Sequence, residues 1–438
     1  MAGAAERVEV ASLHAESIVD EVDRARGAAR IRGAREASCI FDHGQKYSPV
    51  FSTMVKKSST LSMVRKRSAT KRYLSRQVSD DLQRKMVFLA GPRQVGKTTL
   101  ALSLPGAPGG YLNWDIPEHR QKILQRELPG GKLWIFDELH KYRRWRNFLK
   151  GLYDGRPAGQ KILVTGSGKL DLYRFGGDSL QGRYHLLRLH PFSVAELGIS
   201  GRKDFEQLLR LGGFPEPFLG GSEREARRWS REYRTRLVRE DVVSLERIQD
   251  LGHLELLMMR LPELVGSPLS INAVREDLQV SHKTLSAWIA VLERLYAVFR
   301  LAPFGAPRIR AVRKEQKHYH TDWSVVPQDA ARFENMIAAH LLKWVHFQQD
   351  VEGRDVELRY FRDVEGREVD FVVVDGREPW LLVETKWADA PIDKGLRYLK
   401  AKFPRAAAWQ ISATGTKDYQ SSEGIRVSPA LALLETLV

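Results

Sequence analysis

The octapeptide Gly91-Pro92-Arg93-Gln94-Val95-Gly96-Lys97-Thr98 constrains this chain more than any other stretch. Before it runs the continuous apolar segment Met86-Val87-Phe88-Leu89-Ala90, and after it Thr99-Leu100-Ala101-Leu102. The succession reads as strand, glycine-bearing turn and helix. It fits GxxxxGK[ST], a loop that cradles phosphate. Gly96 lets backbone N–H groups approach phosphate oxygens, Lys97 reaches the β- and γ-phosphates, and the Thr98 hydroxyl ligates Mg²⁺ at the start of the helix. Residues Gly91 to Thr99 are therefore expected to hold ATP and its Mg²⁺.

Two further apolar runs end in polar residues. Leu133-Trp134-Ile135-Phe136-Asp137-Glu138 closes on two acids, and Lys161-Ile162-Leu163-Val164-Thr165-Gly166-Ser167 on small polar residues. Strands of this kind, alternating with helices, predict an α/β fold with a parallel sheet and a ligand at the carboxyl ends of its strands. Asp137 is expected to hold Mg²⁺, mostly through water, and Glu138 to polarise the attacking water. Ser167 reads either as a sensor between γ-phosphate and water or as an ordinary turn or N-cap serine.

Charge points to a partner. The chain has 70 Lys+Arg against 54 Asp+Glu, a formal net charge of +16, which favours a polyanion such as DNA. Cys39 is the only cysteine, which excludes internal disulfides and thiolate zinc sites. Glu6, Arg7 and Glu9 stand where a signal peptide needs an apolar run, and no segment approaches the ~20 apolar residues of a membrane helix. A cytoplasmic protein without membrane contact is expected. Residues 1–53, rich in Ala, Arg and Glu, read as a poorly ordered extension or a short helix, or as an over-extended start ahead of Met54 or Met63. Residues 54–85 form a basic lead-in, either a solvated linker or a contact for nucleic-acid backbone.

The run GPRQVGKTTL, FDELHKYRRWRNFLK, VTGSGKL, SLQGRYHLLRLHPFSVAEL and LLRLGGFPEPFL resembles a large prokaryotic family of AAA-type ATPases without a settled cellular role. The likeness covers roughly residues 70 to 438. It implies an AAA-type ATPase core with a helical lid (86–260), a winged-helix module (261–325) and a C-terminal α/β restriction-endonuclease-like domain (326–438). It also implies a homo-oligomeric ring, with a hexamer as one candidate. Arg183, in Gln181-Gly182-Arg183-Tyr184, then corresponds to an arginine finger acting across a subunit boundary; a structural salt bridge is the alternative, and Arg236 and Arg239 are competing candidates.

In the expected winged helix, Ile271, Val274 and Leu278 share one helix face. After a turn at Val280-Ser281, Leu285, Trp288, Ile289, Leu292 and Leu295 share another. His282, Lys283, Ser286 and Ala287 would face outward at the start of the second helix, where a recognition helix meets base edges. AVFRLAPF and KHYHTD read as a wing hairpin, with Arg308, Arg310, Arg313, Lys314 and Lys317 between them as a phosphate-contacting cluster. Such modules also serve as protein–protein adaptors.

Near the C-terminus, Asp370 opens one predicted strand, while Glu384 and Lys386 share a face of the next. Glu334 lies upstream in a helix. The Glu–Asp–ExK layout resembles the PD-(D/E)xK nucleases, in which Asp370 and Glu384 would bind Mg²⁺ or Mn²⁺ and Lys386 would attend a water beside phosphate. An active nuclease, a metal-dependent DNA clamp and an inactive relic all fit this pattern. The chain as a whole reads as an ATP-hydrolysing motor that processes nucleic acid, with branched or recombination-type DNA as a candidate substrate. A nucleotide-dependent regulatory switch and a protein-remodelling ATPase are the alternatives.

Overall fold

Both apolar flanks of the octapeptide fold as their patterns require. A computed structural model describes residues 71–167, 170, 180–242, 250–305 and 316–438. The extension 1–53 and positions 54–70 of the lead-in lie outside them, and the rest of the lead-in includes the helix Ser75–Asp81.

β1 (Met86–Ala90), β2 (Tyr111–Asn113), β3 (Leu133–Asp137), β4 (Lys161–Thr165) and β5 (Tyr184–Arg188) form an all-parallel sheet in the order β2-β3-β4-β1-β5. Alternate residues of a strand face opposite sides. Val87, Leu89, Ile135 and Leu163 therefore join one core, and Phe88, Phe136, Ile162 and Val164 the other. Burial on both faces explains why these strands are apolar without interruption. The register aligns Asp137 with Thr165 and Thr165 with Leu89, so the polar ends of β3 and β4 meet the loop that leaves β1.

Helices Arg202–Leu211, Pro215–Gly220 and Glu223–Arg236 follow, then a π-helical turn over Leu237–Val242 and the helix Leu251–Arg260. Two capped helices come next. Ser270 accepts from the Ala273 N–H ahead of Ile271–Asp277, and Ser281 accepts from the Thr284 N–H ahead of His282–Arg294. Their apolar faces, including Val274, Leu285, Trp288 and Leu292, are buried as the spacing requires.

β6 (Val298–Pro303) and β7 (Lys317–His320) pair antiparallel. The sequence places this hairpin ahead of a boundary at 325/326, yet Ala302 and Pro303 also pair with Arg359 and Tyr360. The hairpin therefore becomes the edge of an eight-stranded sheet completed by β8 (Val356–Arg362), β9 (Glu368–Asp375), β10 (Glu378–Lys386), β11 (Ala407–Ser412), β12 (Tyr419–Gln420) and β13 (Ile425–Pro429). Its order is β12-β13-β11-β10-β9-β8-β6-β7. Helix Asp329–Asp350 packs Phe333, Ile337 and Leu341 in one core with Phe371, Val373 and Val383, while Leu396 and Leu399 pack with Val369, Val372 and Leu382 in another. No helix among the described residues is long and apolar enough to cross a membrane.

The long helix ties the two sheets together through buried polar groups. Arg188, at the end of β5, donates to both carboxylate oxygens of Asp350, and Lys343 donates to Glu196 at 2.7 Å and to Ser193 Oγ at 2.8 Å. His340 accepts from the Val194 N–H through Nε2 and meets the Met336 carbonyl with Nδ1. Burial pushes its pKa down to about 4, so the ring is neutral, as those two roles require. Arg188 and Asp350 are 8% and 4% exposed, and removing one partner of such a pair leaves an uncompensated buried charge. We expect Arg188→Ala to lower unfolding free energy by about 3–5 kcal/mol in urea denaturation. A loss within the range of an ordinary surface substitution would refute this role.

Candidate functional site

The loop between β1 and the helix Lys97–Leu102 is shaped by two glycines with positive φ, Gly91 at 146° and Gly96 at 95°. A Cβ on Gly91 would fall 2.3 Å from the Leu189 carbonyl oxygen, so the chain can leave β1 at this point only as glycine. Lys97 is buried and donates to the carbonyls of Gly91 (3.1 Å) and Pro92 (2.7 Å), which holds its ammonium within the loop's own curve. Arg72 braces the loop from behind. Its guanidinium donates to Val95 O at 2.6 Å, to His190 O at 2.5 Å and to Glu196 at 2.6 Å.

Asp137 collects three hydroxyls. Thr98 and Tyr111 donate to Oδ2 at 2.9 and 2.8 Å, and Thr165 donates to Oδ1 at 2.5 Å. Burial, then the bond to Asp137, raises the Tyr111 phenol well above its ordinary range, so it remains a donor. Next in the chain, Glu138 adopts φ 57°, a left-handed conformation costly for a side chain with a Cβ. Its N–H donates to Thr165 O, which fixes the turn. Burial raises its carboxyl above the usual range, against the opposing pull of Lys141 and Lys97. His140 Nε2 stands 3.6 Å and Lys141 Nζ 3.3 Å from Glu138. His140 in turn packs on the end of β4, where a Cβ on Gly166 would fall 2.7 Å from its Nδ1. Ser167 follows at that end, with its carbonyl accepting from the Leu170 N–H.

Hard oxygen ligands in this arrangement suit Mg²⁺, and Thr98 and Asp137 are the residues that would hold it. A cleft of about 690 Å³ opens beside the loop, lined by Lys71, Arg72, Gly96, Thr99, Phe192 and Pro215. Opposite, Arg93 pairs with Glu240 of the π-helical turn at 2.8 Å.

The second constellation assembles on β9, β10 and the long helix. Glu384 and Lys386 share a face, with Nζ 2.8 Å from Oε1, and Glu384 Oε2 accepts from the Asp370 N–H. Asp370 Oδ2 accepts from both the N–H and the hydroxyl of Thr385. Lys317 is the correction. Expected on the surface among phosphate contacts, it is 1% exposed, with Nζ 2.6 Å from Glu368, 3.2 Å from Glu334 and 3.3 Å from Asp370. Residues Lys317 and Tyr319 lie on one face of β7, and Tyr319 also donates to Glu334, at 2.8 Å. Among the described residues, no three His, Cys, Asp or Glu side chains stand so as to hold a metal ion. The donor set of Asp370 and Glu384, already engaged by these groups, does not fit one.

Residues 83–198 match the family model of an AAA domain. The chain carries an AAA-type P-loop domain. Residues 202–332 and 330–433 match two domains of unknown function, DUF8612 and DUF4143. Uncharacterized proteins of Mycobacterium tuberculosis and Mycobacterium bovis are each 26% identical over 242 residues, 54% of this chain and 54% of the relative. An uncharacterized protein of Methanocaldococcus jannaschii is 24% identical over 192 residues, 39% of this chain and 43% of its own. The chain thus spans about half the length of the curated relatives it matches.

Within the AAA domain, Gly91 to Thr99, Asp137 and Glu138 converge at one end of the sheet. Arg183 does not join them. It precedes β5 at the opposite end, where its carbonyl accepts from the Met86 N–H and its guanidinium grips Asp154 at 2.9 and 3.1 Å. Arg236 pairs with Glu232, and Arg239 with Glu255. Of the four residues expected to face outward, His282, Lys283 and Ala287 are exposed at the start of their helix and Ser286 is half-buried. Arg308, Arg310, Arg313 and Lys314 lie outside the described residues. Sequence reasoning missed Arg72, Tyr111, His140, Thr165 and Glu368. Glu368 alone carried a local signal, two residues before Asp370 on the same strand face.

We expect Glu138→Gln to cut ATP turnover by about 10²–10⁴-fold while ATP still binds, because the loop that holds phosphate is untouched. A base with a raised pKa is lost to protonation early as pH falls, so the acid limb of the wild-type rate profile should lie above pH 4.5. Near-normal turnover by the variant would remove Glu138 from the chemistry.

Proposed function

We propose that this protein hydrolyses Mg²⁺-ATP and couples the reaction to engagement of nucleic acid. One observation carries the ATPase reading: Asp137 is hydrogen-bonded to Thr98 of the phosphate loop while Glu138 stands at the next position in a strained turn. Mg²⁺ would supply positive charge against the phosphate oxygens. Lys97 would leave the Gly91 and Pro92 carbonyls for the β- and γ-phosphates. Glu138, with its carboxyl raised by burial, would accept a proton from the attacking water, and Lys141, 3.3 Å away, holds it in place. The cleft between Arg72 and Pro215 is within the size range of small-molecule sites and adjoins Thr99, which supports it as the nucleoside pocket.

Support for nucleic acid is electrostatic. Beyond the net charge of +16, the segment after Glu138 carries Lys141, Arg143, Arg144, Arg146 and Lys150 with no acid before Asp154. Arg143 and Arg144 are exposed, and Lys283 is exposed on the second capped helix, the recognition helix of the winged-helix reading. Branched DNA belongs to this reading as one possible substrate. Assembly into a homo-oligomer belongs to it too; Arg183 would have to leave Asp154 to act on a neighbour's nucleotide. The crowded carboxylate cluster favours a second reading for the C-terminal domain, in which the nuclease-like site is inactive.

The test is the ATPase rate with duplex, single-stranded, forked and four-way DNA across a salt series. We expect DNA to raise turnover, and log affinity to fall with log salt by about 0.9 for each phosphate neutralised. Lys97→Ala should abolish hydrolysis. Turnover indifferent to every DNA would leave the regulatory switch or the protein remodeller, and no turnover at all would defeat the ATPase reading.

A further inference from the structure

The C-terminal carboxylates, expected to hold a divalent metal ion, surround a different cation. Lys317 opens β7, and its side chain runs inward from the sheet edge to a buried end. Its ammonium meets three carboxylates from two elements: Glu334 on the long helix, and Glu368 and Asp370 on β9. An ammonium has three N–H donors, and three acceptors surround this one.

Further donors engage the same carboxylates and Glu384. Glu334 Oε1, already on Lys317, accepts from Tyr319 as well. Asp370 offers Oδ1 to Lys317 and Oδ2 twice to Thr385. Glu384 offers Oε1 to Lys386 and Oε2 to the Asp370 N–H. A divalent ion needs several oxygens at about 2.0–2.6 Å. To reach Asp370 it would displace Lys317 or stand against a like charge a few ångströms away. The acids outnumber Lys317 and Lys386, and hydrogen bonds from Tyr319, Thr385 and the Asp370 N–H help to hold the excess.

We infer that Lys317 is the resident cation of this cluster, holding Glu334, Glu368 and Asp370 together in place of a divalent metal ion. The site is then a clip. It fastens the β6–β7 hairpin to β9 and to the helix Asp329–Asp350, and metal-dependent phosphodiester cleavage is not its chemistry.

The test uses the full chain, free of nucleotide, in an Asp137→Asn background that silences the phosphate loop as a metal site. Mn²⁺ uptake is read by electron paramagnetic resonance and by thermal melting with and without Mn²⁺. With Lys317 present, we expect no Mn²⁺ uptake that depends on Asp370. Lys317→Ala should melt lower, take up Mn²⁺ in a way that depends on Asp370, and recover part of its lost stability in Mn²⁺. Adding Asp370→Asn should remove that recovery. Two results would overturn the inference. One is Mn²⁺ uptake by the Lys317 protein that Asp370→Asn abolishes. The other is a Lys317→Ala protein whose stability Mn²⁺ does not change. The first arm needs no Lys317 variant, so misfolding of Lys317→Ala still leaves a decision.

Discussion

The guanidinium of Arg72 is the contact on which the rest of the structure depends. It reaches the phosphate loop at Val95 O, the strand exit at His190 O and the carboxylate of Glu196, all from a buried position. Glu196 passes the link to Lys343 on the long helix. Burial pushes the Glu196 carboxyl up, but Lys343 and Arg72 outweigh it and hold it down. Lys343 shares that single carboxylate with Arg72, so burial prevails there and lowers it to about 8. A charge chain of this kind contributes little net stability over apolar packing, yet losing one member is costly. What it specifies is geometry: the back of the nucleotide loop and the long helix are held in one arrangement.

That helix gives the arrangement its reach. Glu334 lies nine residues before Lys343, about 13.5 Å along a helix. One rigid element thus touches the support of the nucleotide loop at one point and the Lys317 cluster at another. The opposite end, at Asp350, is locked to the last residue of β5. The support of the phosphate loop and the C-terminal sheet thus share one continuous helix.

At the nucleotide site, the tight hydrogen bonding of Asp137 and the left-handed turn at Glu138 belong together. Three hydroxyls fix the first carboxylate, and the Thr165 carbonyl fixes the N–H of the second. The strained turn at Glu138 is held by the bond from its N–H to the Thr165 carbonyl on β4. His140 packs against Gly166 at the end of β4 and stands 3.6 Å from Glu138.

Local sequence determined a good deal. The phosphate loop, the three apolar strands with their polar ends, the two capped helices and the pairing of Glu384 with Lys386 were legible, because each follows from spacing along one strand or helix. The Arg72 brace, the Tyr111 and Thr165 hydroxyls on Asp137 and the separation of Arg183 from the nucleotide were not. Each depends on which strands become neighbours and which end of the sheet a residue occupies, and the order β2-β3-β4-β1-β5 is not written in any local period. Lys317 shows the same limit. A lysine beside a basic stretch reads as solvent-facing, since burying an unpaired ammonium is prohibitive. Only the tertiary structure, by bringing Glu334, Glu368 and Asp370 from distant positions to one point, supplied the carboxylates that make its burial possible.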